Sequence, residues 1–343
     1  MKQLLNTLYV TTPESYLALD GENVLIMQGE ETLRRVPLHN LESIVTFGYT
    51  GASPALMGAC AKRGVTLSFM TAQGRFLARV IGEEHGNVLL RKAQYRVSEN
   101  ECESCRVARN MLAAKLHNSR WVLERAARDY PLRLDVNRFK EISQELAKNA
   151  SALLDITSLD SARGIEGESA SRYFSVFDDM ILQNKDCFRF TGRNRRPPLD
   201  NVNAMLSYMY TILTHDLTAA LYAAGLDPYV GFMHSDRSGR CSLALDLLEE
   251  LRSSVVDRFV LSLINTRQVS VGGFYQKENG AVIMTDDTRK AILMAWQKHK
   301  QEALTHPFLK EKISWGLVPH TQAMLLARHL RGDLEEYPPF LWK

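Results

Sequence analysis

Ile81-Gly82-Glu83-Glu84-His85-Gly86-Asn87-Val88-Leu89-Leu90, residues 81–90, is where the pattern of the chain changes period. Ahead of it, short runs of β-branched and aromatic residues alternate with turn formers. Residues 16–19 and 24–27 flank Asp20-Gly21, a turn signal between β-formers, and 43–47, 65–70 and 76–81 continue in the same manner. One helix interrupts them, with Ser53 as N-cap, Pro54 as its first residue, 55–62 as its body and Gly64 as its stop. Beyond Gly86 apolar residues recur at helical spacing, which predicts helices over 87–97, 105–130, 137–148, 159–182, 200–223, 242–267, 288–300 and 313–331. The expected class is α+β, with a small β-rich N-terminal domain (1–90) followed by a larger all-α domain (91–343). His39 and His85 stand alone in the first part and read as surface loop residues.

A chain of 343 residues exceeds the usual size of one domain and can bury a sizeable core. With 45% hydrophobic and 24% charged residues it has the composition of an ordinary globular protein, and the net charge of +3 by itself selects no partner. No apolar run approaches the ~20 residues of a membrane span, and the first residues lack a basic segment followed by an apolar one, so the expected compartment is the cytoplasm and no membrane partner is expected. The five cysteines are odd in number and scattered, which argues against a disulfide framework. Cys102 and Cys105 form a single C-x-x-C, a weak zinc or redox signal without a second pair.

Three stretches carry chemistry. Gly231-Phe-Met-His-Ser-Asp-Arg-Ser-Gly-Arg-Cys-Ser-Leu-Ala-Leu-Asp-Leu-Leu-Glu-Glu-Leu-Arg252 sets His234 in a loop ahead of a helix for which Ser242 is the expected N-cap. Asp246 and Glu249 are three apart, so they share a face early in that helix, near the positive end of its dipole. An imidazole beside carboxylates is a ligand set for Mg²⁺ or Mn²⁺. A lone histidine before a helix is more often a cap, and early acidic residues are more often solvated. In Gly164-Ile-Glu-Gly-Glu-Ser-Ala-Ser-Arg-Tyr-Phe174, two glycines flank Glu166 inside a helical pattern, at a cost of about 1 kcal/mol each relative to alanine, which asks for a reason of packing or access. In 185–196, Lys185, Arg189, Arg193, Arg195 and Arg196 face one acid, Asp186, and interleave with Phe188 and Phe190, a pattern suited to phosphate contact and base stacking. No Gly-rich phosphate loop and no Gly-x-Ser-x-Gly elbow occurs.

Taken in order, Gly-Ile-Glu-Gly-x-x-Ala-x-x-Tyr-Phe (164–174), Arg-Arg-Pro-Pro-x-Asp-x-Val-Asn-Ala (195–204), Gly-Leu-Asp-Pro-Tyr-Val-Gly-Phe-Met-His (225–234) and Ser-Leu-Ala-Leu-Asp-Leu-Leu-Glu-Glu-Leu-Arg (242–252) resemble the CRISPR-associated adaptation integrase, the first of the numbered CRISPR-associated proteins. The resemblance extends to the β-rich region, to 280–285, and to Gln322 and Arg331-Gly332. It implies a DNA endonuclease and integrase, dependent on Mg²⁺ or Mn²⁺, that inserts captured foreign DNA into a CRISPR array. It implies Glu166, His234 and Glu249 as metal ligands and catalytic residues, with Asp246 at the family's neighbouring acidic position in an assisting role. Some members carry Asp where Glu249 stands, and the extra methylene bears on the ligand geometry. Lys185, Arg193, Arg195 and Arg196 would then contact DNA phosphates. The implied partners are DNA with 3′ ends, a second copy of the chain joined through the β domain, and a small second CRISPR-associated protein. Two rival readings follow from the residues: a non-catalytic DNA-binding scaffold using the basic segment, and a helical di-metal carboxylate protein, which would need a Glu-x-x-His repeat that is absent.

Overall fold

The computed structural model describes residues 6–48, 51–72, 76–82, 88–194 and 196–343; His85 and Arg195 lie outside them. The strands of the first part are β1 (Asn6–Val10), β2 (Ser15–Asp20), β3 (Asn23–Gln28), β4 (Glu31–Pro37), β5 (Leu41–Phe47) and β6 (Gly51–Ala52). Helix α1 (Pro54–Arg63), β7 (Thr66–Met70) and β8 (Phe76–Val80) complete it. One sheet has the order β1-β5-β7-β8, with β8 antiparallel to its neighbour and the others parallel; the second has the order β4-β3-β2-β6. Asp20-Gly21 closes the β2–β3 hairpin, with Gly21 at φ 56°. Helix α1 begins and ends on the residues its sequence prescribes: the Ser53 hydroxyl accepts from Leu56 N at 3.2 Å, and Gly64 ends the helix at φ 68°. Leu17, Val24, Leu38, Ile44, Leu56, Cys60 and Leu67 are buried together as the core of this unit.

The remaining elements are α2 (Val88–Glu99), α3 (Glu101–Asp129), α4 (Val136–Leu153), α5 (Leu159–Phe174), α6 (Asn201–Ala223), α7 (Ser242–Leu251) and α8 (Arg258–Asn265). They are followed by β9 (Phe274–Gln276), β10 (Val282–Met284), α9 (Asp286–Gln301), β11 (Ala303–Thr305), β12 (Lys312–Ser314) and α10 (Val318–Leu330). The region is mostly rather than wholly helical: β9 and β10 pair antiparallel, since Phe274, Tyr275, Val282 and Ile283 are β-formers set around a glycine turn. The helix expected over 159–182 ends at Phe174, where Phe174, Phe177 and Phe190 turn inward as a ring cluster, with Phe177 and Phe190 centroids 4.9 Å apart. The helix expected over 242–267 is interrupted by a π-helical segment, Arg252–Asp257.

The fold separates into two compact units, residues 1–85, 285–302 and 314–317 in one and 86–284, 303–313 and 318–343 in the other. Helix α9 belongs to the first, where the buried Lys300 ammonium donates to Thr7 Oγ1 at 3.0 Å. In the second, α3 is the central helix, and its Asn118 holds the C-terminal tail. Asn118 Nδ2 donates to the carbonyls of Glu250 at 2.6 Å and Phe340 at 2.8 Å, and its Oδ1 accepts from Trp342 N at 2.8 Å. The Trp342 ring lies between the guanidiniums of Arg125 and Arg258, at 4.2 and 4.5 Å.

Glu250, fully buried, anchors the same tail. Its Oε1 accepts from Tyr337 OH at 2.7 Å and Gln322 Nε2 at 3.0 Å, and Oε2 from Phe340 N at 3.3 Å. Burial outweighs these donors and pushes the carboxyl up to about 7. A carboxyl raised in the folded state contributes most below its unfolded value near 4.5, and that contribution is lost as pH rises toward 7. Glu250→Gln is therefore expected to flatten the fall in stability between pH 5 and 8, on the order of 3 kcal/mol in the native chain, as read from denaturant midpoints across that range.

Candidate active site

Asp246 is the residue around which the histidine loop is built. It is the fifth residue of α7 and has no solvent exposure. Its Oδ2 accepts from Phe232 N at 2.6 Å and Met233 N at 3.0 Å; its Oδ1 accepts from His234 N at 3.0 Å and lies 2.6 Å from His234 Nδ1. Both oxygens are consumed, so Asp246 orients the imidazole and presents no free oxygen to a ligand. With Nδ1 held against the carboxylate, Nε2 is the ring nitrogen turned away from Asp246, the arrangement by which a second carboxylate orients a metal-binding histidine. The loop can wrap so tightly because residue 231 is glycine. A Cβ there would lie 2.8 Å from Asp246 Oδ2 and 2.9 Å from Ser242 Cβ. The α7 cap is Cys241 rather than the expected Ser242, whose hydroxyl instead donates to the Ser235 carbonyl at 3.2 Å.

Glu249, one turn further along α7, is buried and faces two cations. Its Oε1 is 2.9 Å from Arg252 Nη2, and its Oε2 is 2.7 Å from Lys115 Nζ without being aligned as a hydrogen bond to any described donor. Burial would raise this carboxyl, but Arg252 and Lys115, with His234 behind them, outweigh it and hold it at about 2. Lys115, from the middle of α3, also pairs with Glu166 Oε1 on α5. Glu166 and Glu249, far apart in sequence, thus meet at one ammonium. One turn ahead of Glu166, Arg163 donates to the Met233 carbonyl and ties α5 to the histidine loop. Among the described residues no three of His, Cys, Asp and Glu stand together as a ligand cluster, and the Lys115 ammonium lies between the two glutamates.

Gly164 and Gly167 lie in uninterrupted helix, and a Cβ on either would meet no heavy atom within 4 Å. Packing does not require them, and they leave open space beside Glu166. A cavity of about 490 Å³ opens from this carboxylate, walled by Lys115, Arg193, Arg252, Tyr173 and Asp257 among others. Tyr210 supports two of its cations, with the guanidiniums of Arg252 and Arg193 at 4.8 and 5.2 Å from its ring centroid, and its hydroxyl is bonded to Asp257. Burial pushes Asp257 up to about 6 against Tyr210 and Arg252.

The basic segment is only partly the surface its composition suggests. Phe188 and Phe190 are buried, Phe188 edge-on to Phe274 at 5.7 Å, so neither is available to stack on a base. Their alternation with charged residues is that of a strip with one face in the core. Arg193 is half-buried, donating to Asn203 Oδ1 at 2.6 Å and Ser207 Oγ at 3.1 Å, and reaches the cavity; Arg196 is exposed, and Lys185, also exposed, lies 3.8 Å from Asp178. Lys115 and Arg252 were missed in the sequence. A signal existed for the first, a lysine within Leu112-Ala-Ala-Lys-Leu116, where helical period asks for an apolar residue. Arg252 owes its direction to the π-helical segment it begins, which has no sequence signature here.

Comparison with known proteins bears on what this arrangement does. A family model described as "CRISPR associated protein Cas1" matches residues 8–298. A "CRISPR-associated endonuclease Cas1 1" of Chlorobaculum tepidum is 50% identical over the full length of both chains. Among solved structures, a "Casposase bound to integration product" aligns with a TM-score of 0.83 at 23% identity over 99% of this chain and 95% of that one. A chain of a "Cas6-RT-Cas1--Cas2 complex" aligns with a TM-score of 0.80 at 20% identity over all of this chain and 36% of that one. At such identities these two speak for the fold alone.

Two substitutions test the histidine loop. Gly231→Ala is expected to cost about 1–3 kcal/mol through its clash with Asp246 and Ser242, seen as a lowered unfolding midpoint. Asp246→Asn, which cannot accept all four bonds, is expected to weaken divalent-metal affinity by roughly 10–100-fold, measured by calorimetry.

Proposed function

The chain belongs to the CRISPR-associated Cas1 family, and from that premise we propose that it is a divalent-metal-dependent DNA endonuclease and integrase that joins captured DNA to a CRISPR array. The observation that carries this reading is the meeting of Glu166 and Glu249 at one ammonium, beside a histidine whose Nδ1 is committed to Asp246. The donor set suits a hard or borderline divalent ion. Glu249 Oε2 is a buried oxygen met by the Lys115 ammonium alone among described groups, Glu166 supplies a second carboxylate, and His234 Nε2 an imidazole nitrogen. These three would hold the ion, Mg²⁺ or Mn²⁺; with no thiolate in the set, the cysteines have no part in it.

When bound, such an ion offsets negative charge developing on a phosphodiester and positions the attacking hydroxyl of a DNA 3′ end or water. The rest falls to the chain's own residues. Asp246 keeps the imidazole in one tautomer and one orientation. Arg252 neutralises the remaining oxygen of Glu249 and, braced on Tyr210, faces the cavity in which a phosphate would sit. Arg193, Arg196, Lys185 and Arg195 would track the DNA backbone and not read base sequence. In line with the family and with the complex named for Cas1 and Cas2, the working assembly would contain DNA, a second copy of the chain and the small second protein. Among the described residues no helix is long and apolar enough to cross a membrane.

Binding and chemistry should separate. His234→Ala is expected to lower strand joining in Mn²⁺ by at least about 10²-fold while DNA affinity stays within about twofold; full joining by this variant would refute the site. Arg196→Ala is expected to weaken DNA binding evenly across sequences and to reduce the slope of log affinity against log salt by about one, read from titrations between 50 and 200 mM salt.

A further inference from the structure

The place between the two glutamates is already taken. Lys115 Nζ pairs with Glu166 Oε1 and sits 2.7 Å from Glu249 Oε2, one oxygen of each glutamate that would hold the ion. The other cation of the site is fixed elsewhere: Arg252 holds Glu249 Oε1 at 2.9 Å with its guanidinium 4.8 Å from the Tyr210 centroid. We infer that Lys115 is the resident counter-ion of this site, bridging the two glutamates and, with Arg252, compensating their charge in the metal-free protein, and that a divalent ion binds by displacing its ammonium from between them. This rests on the metal-site reading above and adds to it which side chain must leave.

Two cations cannot share the position, since like charges a few ångströms apart repel strongly in a partly buried site. Lysine is suited to leaving: a point charge on a four-carbon stem changes direction without disturbing its backbone, which an arginine braced on a ring does not. It also has somewhere to go, because Lys115 is part of the wall of the 490 Å³ cavity that Glu166, Arg193 and Arg252 line. With its ammonium in place the side chain is only 11% exposed. The arrangement has two consequences. The buried carboxylates are compensated before any ion arrives, so the unit folds without metal. Affinity for the ion is the difference between two attractions, one of which Lys115 supplies.

The test is Mn²⁺ titration of the full-length chain by calorimetry, in the absence of DNA, for the native protein, Lys115→Met and His234→Ala. Displacement requires Lys115→Met to bind Mn²⁺ at least about tenfold more tightly, and equal or weaker binding overturns the inference. His234→Ala separates this from the premise: it must bind more weakly, and if it does not, the metal-site reading itself fails. A measurement on the native chain guards against a misfolded variant. Amine-reactive labelling of Lys115, followed by mass spectrometry, should rise several-fold when Mn²⁺ is added, and unchanged labelling overturns displacement.

Discussion

A carboxylate removed from water has to find its donors inside the protein, and Asp246 finds four within one short loop. Most of the site's geometry follows from that requirement. The loop must pass close enough for three consecutive backbone N–H groups to converge, which excludes a side chain at residue 231. Convergence carries His234 to a fixed place beside α7, on the face that also bears Glu249. Arg163 then draws α5 toward the loop through the Met233 carbonyl, and Glu166 arrives one turn later. The order runs from a desolvated charge to a loop, and from the loop to the position of a helix that is distant in sequence.

The same rule governs the neighbouring acids with different outcomes. Glu249 has cations on both oxygens and stays ionised far below neutral pH, whereas Glu250, next in the chain, meets only neutral donors and is pushed toward neutrality. Adjacent glutamates on one helix point about 100° apart, one toward Lys115 and Arg252 and the other toward the C-terminal tail. Only the second holds Tyr337 and Phe340. Two residues of one type and one helix are thus divided by what α3 and the tail present to them.

Where a local signal decides structure, the chain could be read directly. Asp20-Gly21, Ser53-Pro54 and Gly64 each act within a few residues, and the hairpin and helix stand where they require. Strand β4 went unread because both its faces are exposed: Glu31-Thr-Leu-Arg-Arg-Val-Pro37 has no apolar alternation to detect. The return of α9 to the first unit has no sequence mark either, since contacts such as Lys300 with Thr7 join residues almost a whole chain apart. Glu166, His234 and Glu249 could be named through ordered motifs and family resemblance. For Lys115 the sequence offers only a charge where the helical pattern asks for an apolar residue, because its place between carboxylates is defined by three helices meeting and by no spacing along any one of them.

The π-helical segment Arg252–Asp257 can be regarded as a phase shifter. It accommodates one residue more than an α-helix would over the same rise, so everything beyond it is turned by about 100° relative to α7. Arg252 at its start and Asp257 at its end both reach the cavity wall, and the apolar stripe of α8, Phe259, Val260, Leu263 and Ile264, still meets the core. Removing a single residue from this turn would leave the backbone hydrogen bonding satisfiable as ordinary helix while rotating that stripe out of register. A one-residue deletion here would therefore move Asp257 and the α8 stripe together, where a substitution changes one side chain at a time.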